Sequence, residues 1–179
     1  LVIAWRWRFL LSAIKPVPLL PLTKIVAIGY MGNNVYPFRA GEALRLFLLK
    51  RRHDVPIGGA ATTVVIERVF DGIVMLSFIL IGLYFVDVTS EQIQQVVTIA
   101  TPIFVVAVLV FFSLAMFPKN LERLIRWVAT IFPSAIQERL IDLGDDILAG
   151  LKGLRSPVHL IGAILTSYGT WAIEACVYW

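Results

Sequence analysis

Residues 96–117 form a run of 22 positions without one charged side chain. At 1.5 Å per residue, a helix of that length crosses the roughly 30 Å hydrocarbon layer of a bilayer. In lipid only a helix or a closed barrel satisfies every backbone N–H and C=O, and an uninterrupted apolar run of this length selects the helix. The run therefore predicts an all-α fold: a polytopic helical membrane protein, multi-pass in the cell (inner) membrane. Composition agrees, with 59% hydrophobic and 16% charged residues and a mean hydropathy of +0.83. A soluble domain has about 45–50% apolar and about 25% charged residues. The chain starts at Leu1 without a Met and stops at Trp179 in an apolar run, and reads as one transmembrane domain (residues 1–179) of a longer protein.

The charges beside the clean span orient the rest. Asp87 and Glu91 lie in 87–95 without a basic residue, which places that stretch outside. Lys119, Arg123 and Arg126 return the chain to the cytoplasm. Upstream, His53–Gly59 reads as a turn through Asp54, Pro56, Gly58 and Gly59, and 60–86 as a tilted transmembrane helix. Downstream, 158–179 reads as a third span, containing Glu174. Between them, 135–154 repeats Ile136, Leu140, Leu143, Ile147 and Leu151 at helical spacing against Glu138, Asp142, Asp145 and Asp146. That pattern predicts a cytoplasmic amphipathic helix.

The first half is less regular. Residues 1–14 read as a helix end at an interface, anchored by Trp5 and Trp7 and by snorkelling Arg6 and Arg8. Pro16, Pro18 and Pro21 break any helix there. Residues 24–52 then offer two short apolar arms around a polar tip at Gly32, Asn33 and Asn34, with Pro37 opening the second arm. Lys24 and Lys50–Arg52 sit at the two bases, so both ends belong in the cytoplasm and the economical geometry is a re-entrant hairpin. Two tilted spans or an interfacial helix pair would use the same residues.

Across this hairpin and the following helix, Arg39, Glu42, Arg45, Glu67, Arg68 and Asp71 fall among apolar neighbours. Each such charge costs roughly 2.5–3.5 kcal/mol at mid-membrane on insertion scales. Glu67 and Asp71, four apart, share a helix face, and Arg68 and Asp71, three apart, can pair. Arg39 with Glu42, and Glu42 with Arg45, repeat the three-residue spacing. One reading is a set of structural ion pairs pinning the hairpin to the long helix. The other is a polar cavity for a charged headgroup: a guanidinium fork grips phosphate, and carboxylates take an ammonium or relay protons. Catalysis finds no support. His53 and His159 sit at predicted boundaries, and Ser12, Ser77 and Ser113 have no acid–base partner nearby in sequence. The single Cys176 excludes a cysteine metal cluster, so no metal and no cofactor are expected. Basic residues scattered between lipid-length segments argue against nucleic acid.

At these residues the chain resembles a known family. Gly29, Asn33, Pro37, Arg39, Gly41, Glu42 and Arg45 give the pattern G-x-x-x-N-x-x-x-P-x-R-x-G-E-x-x-R, and Glu67, Arg68 and Asp71 give E-R-x-x-D. Together with LGDDILAGLKGLRSP and a last span containing Trp171 and Glu174, they resemble the lysylphosphatidylglycerol synthase transmembrane domain family, a group of flippase-like membrane proteins. The resemblance implies movement of a phospholipid or other lipid-linked headgroup between leaflets. Its headgroup-binding residues would be Asn33, Arg39, Glu42, Arg45, Glu67, Arg68 and Asp71, and its partner a membrane lipid with an anionic phosphate headgroup. A synthase domain would lie outside this stretch. The alternative is a non-transporting scaffold or accessory subunit of a lipid-modifying or lipid-linked glycosylation enzyme. A second copy of the chain, or a synthase or glycosyltransferase, would then be its protein partner.

Overall fold

The computed structural model describes residues 1–85 and 91–178; the side chains of residues 39, 84, 91–93, 96, 134, 135 and 178 lie outside that description. Among the described residues there are eight α-helices and no strand. They are α1 (Val2–Leu11), α2 (Leu19–Val35), α3 (Ala40–His53), α4 (Ile57–Phe85), α5 (Glu91–Met116), α6 (Pro118–Ala129), α7 (Ser134–Leu151) and α8 (Pro157–Tyr178). Two of them are long and apolar enough to cross a membrane, over Val97–Met116 and Pro157–Val177. The outer faces of α5 and α8 leave Ile99, Ile103, Leu109, Val158, Ile161 and Leu165 exposed. A soluble monomer does not spread that much apolar surface over whole helix faces.

α1, at ten residues, is the hub. Ala4, Trp7 and Leu11 pack with Leu22, Ile25 and Val26 of α2, Leu49 of α3 and Ala60 of α4. Leu10, on another face, joins Ile66 and Phe70 of α4, Ala115 of α5, Leu151 of α7 and Ala163 of α8. The expectation of an interfacial end is therefore corrected for this helix. Arg6 is 2% exposed and Trp7 fully buried. What the apolar context of Arg6 reflects is a partner inside the protein, and it is Arg8 and Trp5 that reach the surface.

The hairpin region also differs from its sequence reading. The helix does not stop at Gly32–Asn34: α2 runs on to Val35, with Asn34 Nδ2 donating to the Tyr30 carbonyl at 3.0 Å. It ends where Pro37 forces its predecessor into extended backbone, Tyr36 having φ −106° and ψ 145°. Pro21 is no breaker, because it occupies the first turn, where no N–H is needed. A 3₁₀ turn, Pro37–Arg39, makes the tip, and Phe38 there has φ 58° and is wholly exposed. α2 and α3 return antiparallel and very close. A Cβ on Gly29 would collide with the Arg45 side chain, and one on Gly41 would fall on the Gly29 carbonyl oxygen. Glycine at both positions is what lets the two backbones touch.

Further boundaries moved: α3 runs through His53 and α4 begins at Ile57, so Gly58 and Gly59, read as part of a turn, are helical. α5 begins at Glu91, within the stretch expected outside the membrane, so Pro102 is well inside it and removes the donor for the carbonyl four residues earlier. Residues 86–90, including Asp87 and the end of the helix expected over 60–86, lie outside the described residues. The helix α6 had no counterpart in the sequence reading; Pro118 sits at its first position and Arg126 holds Glu122 at 2.8 Å on its exposed side.

Candidate functional site

Four helices meet at one ion network. Arg6 points from α1 toward α4. Its Nε and Nη2 donate to Glu67 Oε1 at 3.2 and 2.6 Å, and its Nη1 donates to Asp71 Oδ1 at 2.6 Å and Ser167 Oγ at 3.3 Å. The four-residue spacing of Glu67 and Asp71 is what presents both carboxylates to one guanidinium. Arg45 of α3 reaches the other oxygen of Glu67, Nη2 to Oε2 at 3.3 Å. Its guanidinium lies 4.2 Å above the Trp7 ring, and the Trp7 indole N–H donates to Thr63 Oγ1 at 2.8 Å. Trp7 thus offers its face to a cation and its edge to a hydroxyl.

Asp71 links this buried half to an outer one. Its Oδ1 also accepts from Trp171 Nε1 at 3.1 Å, and its Oδ2 faces Arg68 Nη1 at 3.2 Å. Arg68 in turn reaches Glu42 Oε1 on α3 at 3.3 Å. The network holds three guanidiniums, Arg6, Arg45 and Arg68, against three carboxylates, Glu42, Glu67 and Asp71, so its ionised charges cancel. Exposure grades across it: the Arg6 side chain is 2% exposed and Arg68 42%. Ser167 and Trp171 lie in the middle of α8, a helix long enough to span, so the network sits at about half that helix's height.

Five of the residues singled out from sequence are therefore brought together: Glu42, Arg45, Glu67, Arg68 and Asp71. Their pairing differs in one respect. Glu42 does not hold Arg45; each crosses to α4, Glu42 to Arg68 and Arg45 to Glu67. Pairing between helices wins because the glycine contact presses α3 against α2 and turns its charged face toward α4. Asn33 stays outside the network. It lies on α2 against Gly41, and its Oδ1 is buried without a hydrogen-bond partner, as is Arg45 Nε. Arg39 has its backbone in the tip turn, and its side chain lies outside the described residues. The residue that sequence reasoning missed is Arg6, with Trp7, Ser167 and Trp171 around it. The available signal was the charge itself: an arginine inside an apolar helix costs as much at position 6 as at position 68.

The spaced motif now has a physical reading. Gly29 and Gly41 set the distance between α2 and α3, and Glu42 and Arg45, three apart, then present one acid and one base to α4. Among the described residues no group of three His, Cys, Asp or Glu is placed to hold a metal ion.

Comparison with known proteins gives a consistent picture. The family described as "Lysylphosphatidylglycerol synthase TM region" matches residues 1–179. The chain is similar to a protein of Haloferax volcanii named glycosyltransferase AglD, 24% identical over 177 residues, covering 86% of this chain and 28% of that one. It is also similar to UPF0104 membrane protein MJ1595 of Methanocaldococcus jannaschii, 30% identical over 92 residues, covering 50% of this chain and 27% of that one. The chain thus spans under a third of the length of these curated relatives. No solved structure matches.

Proposed function

The chain belongs to the lysylphosphatidylglycerol synthase transmembrane-region family, and from that membership we propose that it moves a phospholipid or other lipid-linked headgroup between leaflets, meeting the headgroup phosphate at Arg68. The observation that carries the proposal is the gradient in the ion network. Arg6 makes two contacts of 2.6 Å in a nearly dry site, whereas Arg68 makes contacts of 3.2 and 3.3 Å at an open edge. A phosphate offers two oxygens to the planar guanidinium fork and replaces Glu42 or Asp71 there at little cost. The displaced Glu42 is then free to take an ammonium on the same headgroup. Asn33 and Arg39 stand on the hairpin beside this edge in our reading, while Arg45 and Glu67 position it from behind. The hairpin re-enters from the cytoplasm, α4 is a further span, α7 is an amphipathic helix on the cytoplasmic face, and the membrane is the cell membrane.

The test uses full-length protein in vesicles carrying a labelled phosphatidylglycerol, read by an impermeant quencher. Wild type exchanges the label between leaflets. Arg68→Met slows exchange about tenfold or more, the worth of a charge-assisted hydrogen bond, and Arg68→Lys is intermediate, at unchanged thermal stability. Equal rates in all three remove Arg68 from the path.

A second reading has one observation behind it: the relative that covers most of this chain is named as a glycosyltransferase. In that reading the chain is a membrane module serving such an enzyme, and it moves no lipid. Wild type without exchange, and a glycosyltransferase that loses activity when this region is deleted, is the outcome that selects it.

A further inference from the structure

We propose that a second phosphate site lies on the other side of α1, in a cleft between α1 and α8, and that it holds an anionic lipid headgroup as a resident, not as cargo. Helical geometry puts it there. Two residues turn a helix through about 200°, so Arg8 points away from the buried network that Arg6 enters. Trp5, Arg8, Phe9 and Ser12, at i, i+3, i+4 and i+7, form one stripe along that outer face. With Pro16 and His159 they line a cleft of about 300 Å³.

Its polar groups are free to act. Arg8 is exposed and makes no hydrogen bond or ion pair among the described residues. His159 Nδ1 is buried without a hydrogen-bond partner. Ser12 Oγ donates to the Phe9 carbonyl at 2.6 Å, so its hydroxyl is committed and the donors for an anion are Arg8 and the His159 ring. A cation and an imidazole meet in one cleft, the imidazole in the first turn of a 22-residue helix, close to that helix's positive dipole end. That combination takes a phosphate group.

The surroundings favour lipid as the source. The cleft is at the Pro157 end of α8, next to the basic turn Lys152–Arg155, which for a spanning helix is headgroup depth. Trp5 is half-exposed there, as interfacial tryptophans are. Val158, Ile161 and Leu165 run exposed along the flank of α8 beside His159 and Gly162 and give an acyl chain a track. Gly162 keeps the base closed, since a Cβ there would stand 2.9 Å from the Phe9 ring. The site does not depend on lipid movement at Arg68, because α1 separates the two.

The experiment places full-length protein in phosphatidylcholine nanodiscs with a minor fraction of phosphatidylglycerol carrying a headgroup diazirine, then maps photo-crosslinked peptides. Crosslinks are expected in residues 5–16 and 156–165. They fall about tenfold in Arg8→Gln, less in Arg8→Lys and His159→Gln, and remain in Arg68→Met. Arg8 is on the surface, so melting temperatures should match across the set. Undiminished crosslinking in Arg8→Gln overturns the site, and so does equal crosslinking by a diazirine phosphatidylcholine. Full competition by soluble glycerol phosphate keeps the phosphate chemistry and overturns the lipid as its source. An Arg68→Met variant that exchanges lipid as fast as wild type, with these crosslinks intact, would count against the central site alone.

Discussion

The two ends of the ion network use the same chemistry and obey different energetics. At one end Arg6, Glu67 and Arg45 are almost wholly enclosed, with Trp7 and Ser167 completing their shell. At the other, Arg68 faces Glu42 at 3.3 Å and Asp71 at 3.2 Å with its side chain 42% exposed. Burial raises the cost of an unpaired charge far more than it raises the gain of a paired one. The enclosed end therefore tolerates no missing member, and the open end can exchange one. Asp71 belongs to both, accepting from Arg6 and facing Arg68, so the two ends are joined through one carboxylate.

The largest effect should come from breaking the enclosed end. Arg6→Met leaves Glu67 with only the 3.3 Å contact to Arg45, and leaves Asp71 Oδ1 with only the Trp171 indole N–H at 3.1 Å. We expect a loss of about 3–5 kcal/mol, as for other buried pairs cut on one side. Arg68→Met should cost under about 1 kcal/mol, because exposed pairs contribute little. Chemical or thermal unfolding of the two full-length variants in the same detergent checks both. Similar destabilisation of the two would show that the network is one uniform structural pin.

A middle-sized effect separates the hairpin from the network it carries. Gly41→Ala places a methyl on the Gly29 carbonyl oxygen and 2.7 Å from Asn33 Oδ1, so α3 must back away from α2. Overpacking of this kind costs about 1–3 kcal/mol. α3 holds Glu42 for the open end and Arg45 for the enclosed end. Gly41→Ala should therefore lower both stability and leaflet exchange, where Arg68→Met lowers exchange alone. A stable Gly41→Ala variant with normal exchange would mean that the hairpin spacing does not set the network's geometry.

Much of this was legible from sequence, and for definite reasons. The uncharged run at 96–117 forces a helix in lipid, and α5 covers nearly all of it. Arg45, Glu67, Arg68 and Asp71 announced themselves as charges among apolar neighbours, and helical spacing put Glu67 and Asp71 on one face. Arg6 was misread because two arginines flanked by tryptophans look alike in a list of letters. Only the packing of α1 between two cores shows that one turns inward and the other outward. The partner choice of Glu42 was equally hidden. Spacing along a helix says which residues can meet, and the glycine contact between α2 and α3 decides which do. The end of α2 was hidden for a local reason: Gly, Asn and Asn suggest a turn by propensity, yet Gly32 and Asn33 lie against Gly41 of α3 and Asn34 bonds back to the Tyr30 carbonyl, so the helix continues.

The smallest effect marks the far limit of the same contrast, a pair at the protein surface. Lys50 Nζ donates to Asp54 Oδ1 at 2.8 Å, just past the end of α3, with the two side chains 48% and 79% exposed. That hydrogen bond and charge hold the Asp54 carboxyl below its usual range, with Lys15 adding to the field. A carboxyl depressed in the folded state contributes its stabilisation above its unfolded pKa of about 3.9 and loses it as pH falls through the lower, folded value. Asp54 also has φ 49°, a left-handed conformation that Asn adopts as readily as Asp. Asp54→Asn therefore deletes the charge and keeps the turn. At neutral pH the variant should melt within error of wild type, since an exposed pair is screened by solvent and salt. On acidification wild type should converge on the variant and never cross it, and added salt at neutral pH should do the same. A clear neutral-pH loss in Asp54→Asn, comparable with Arg6→Met, would mean that exposure does not govern what these ion pairs are worth.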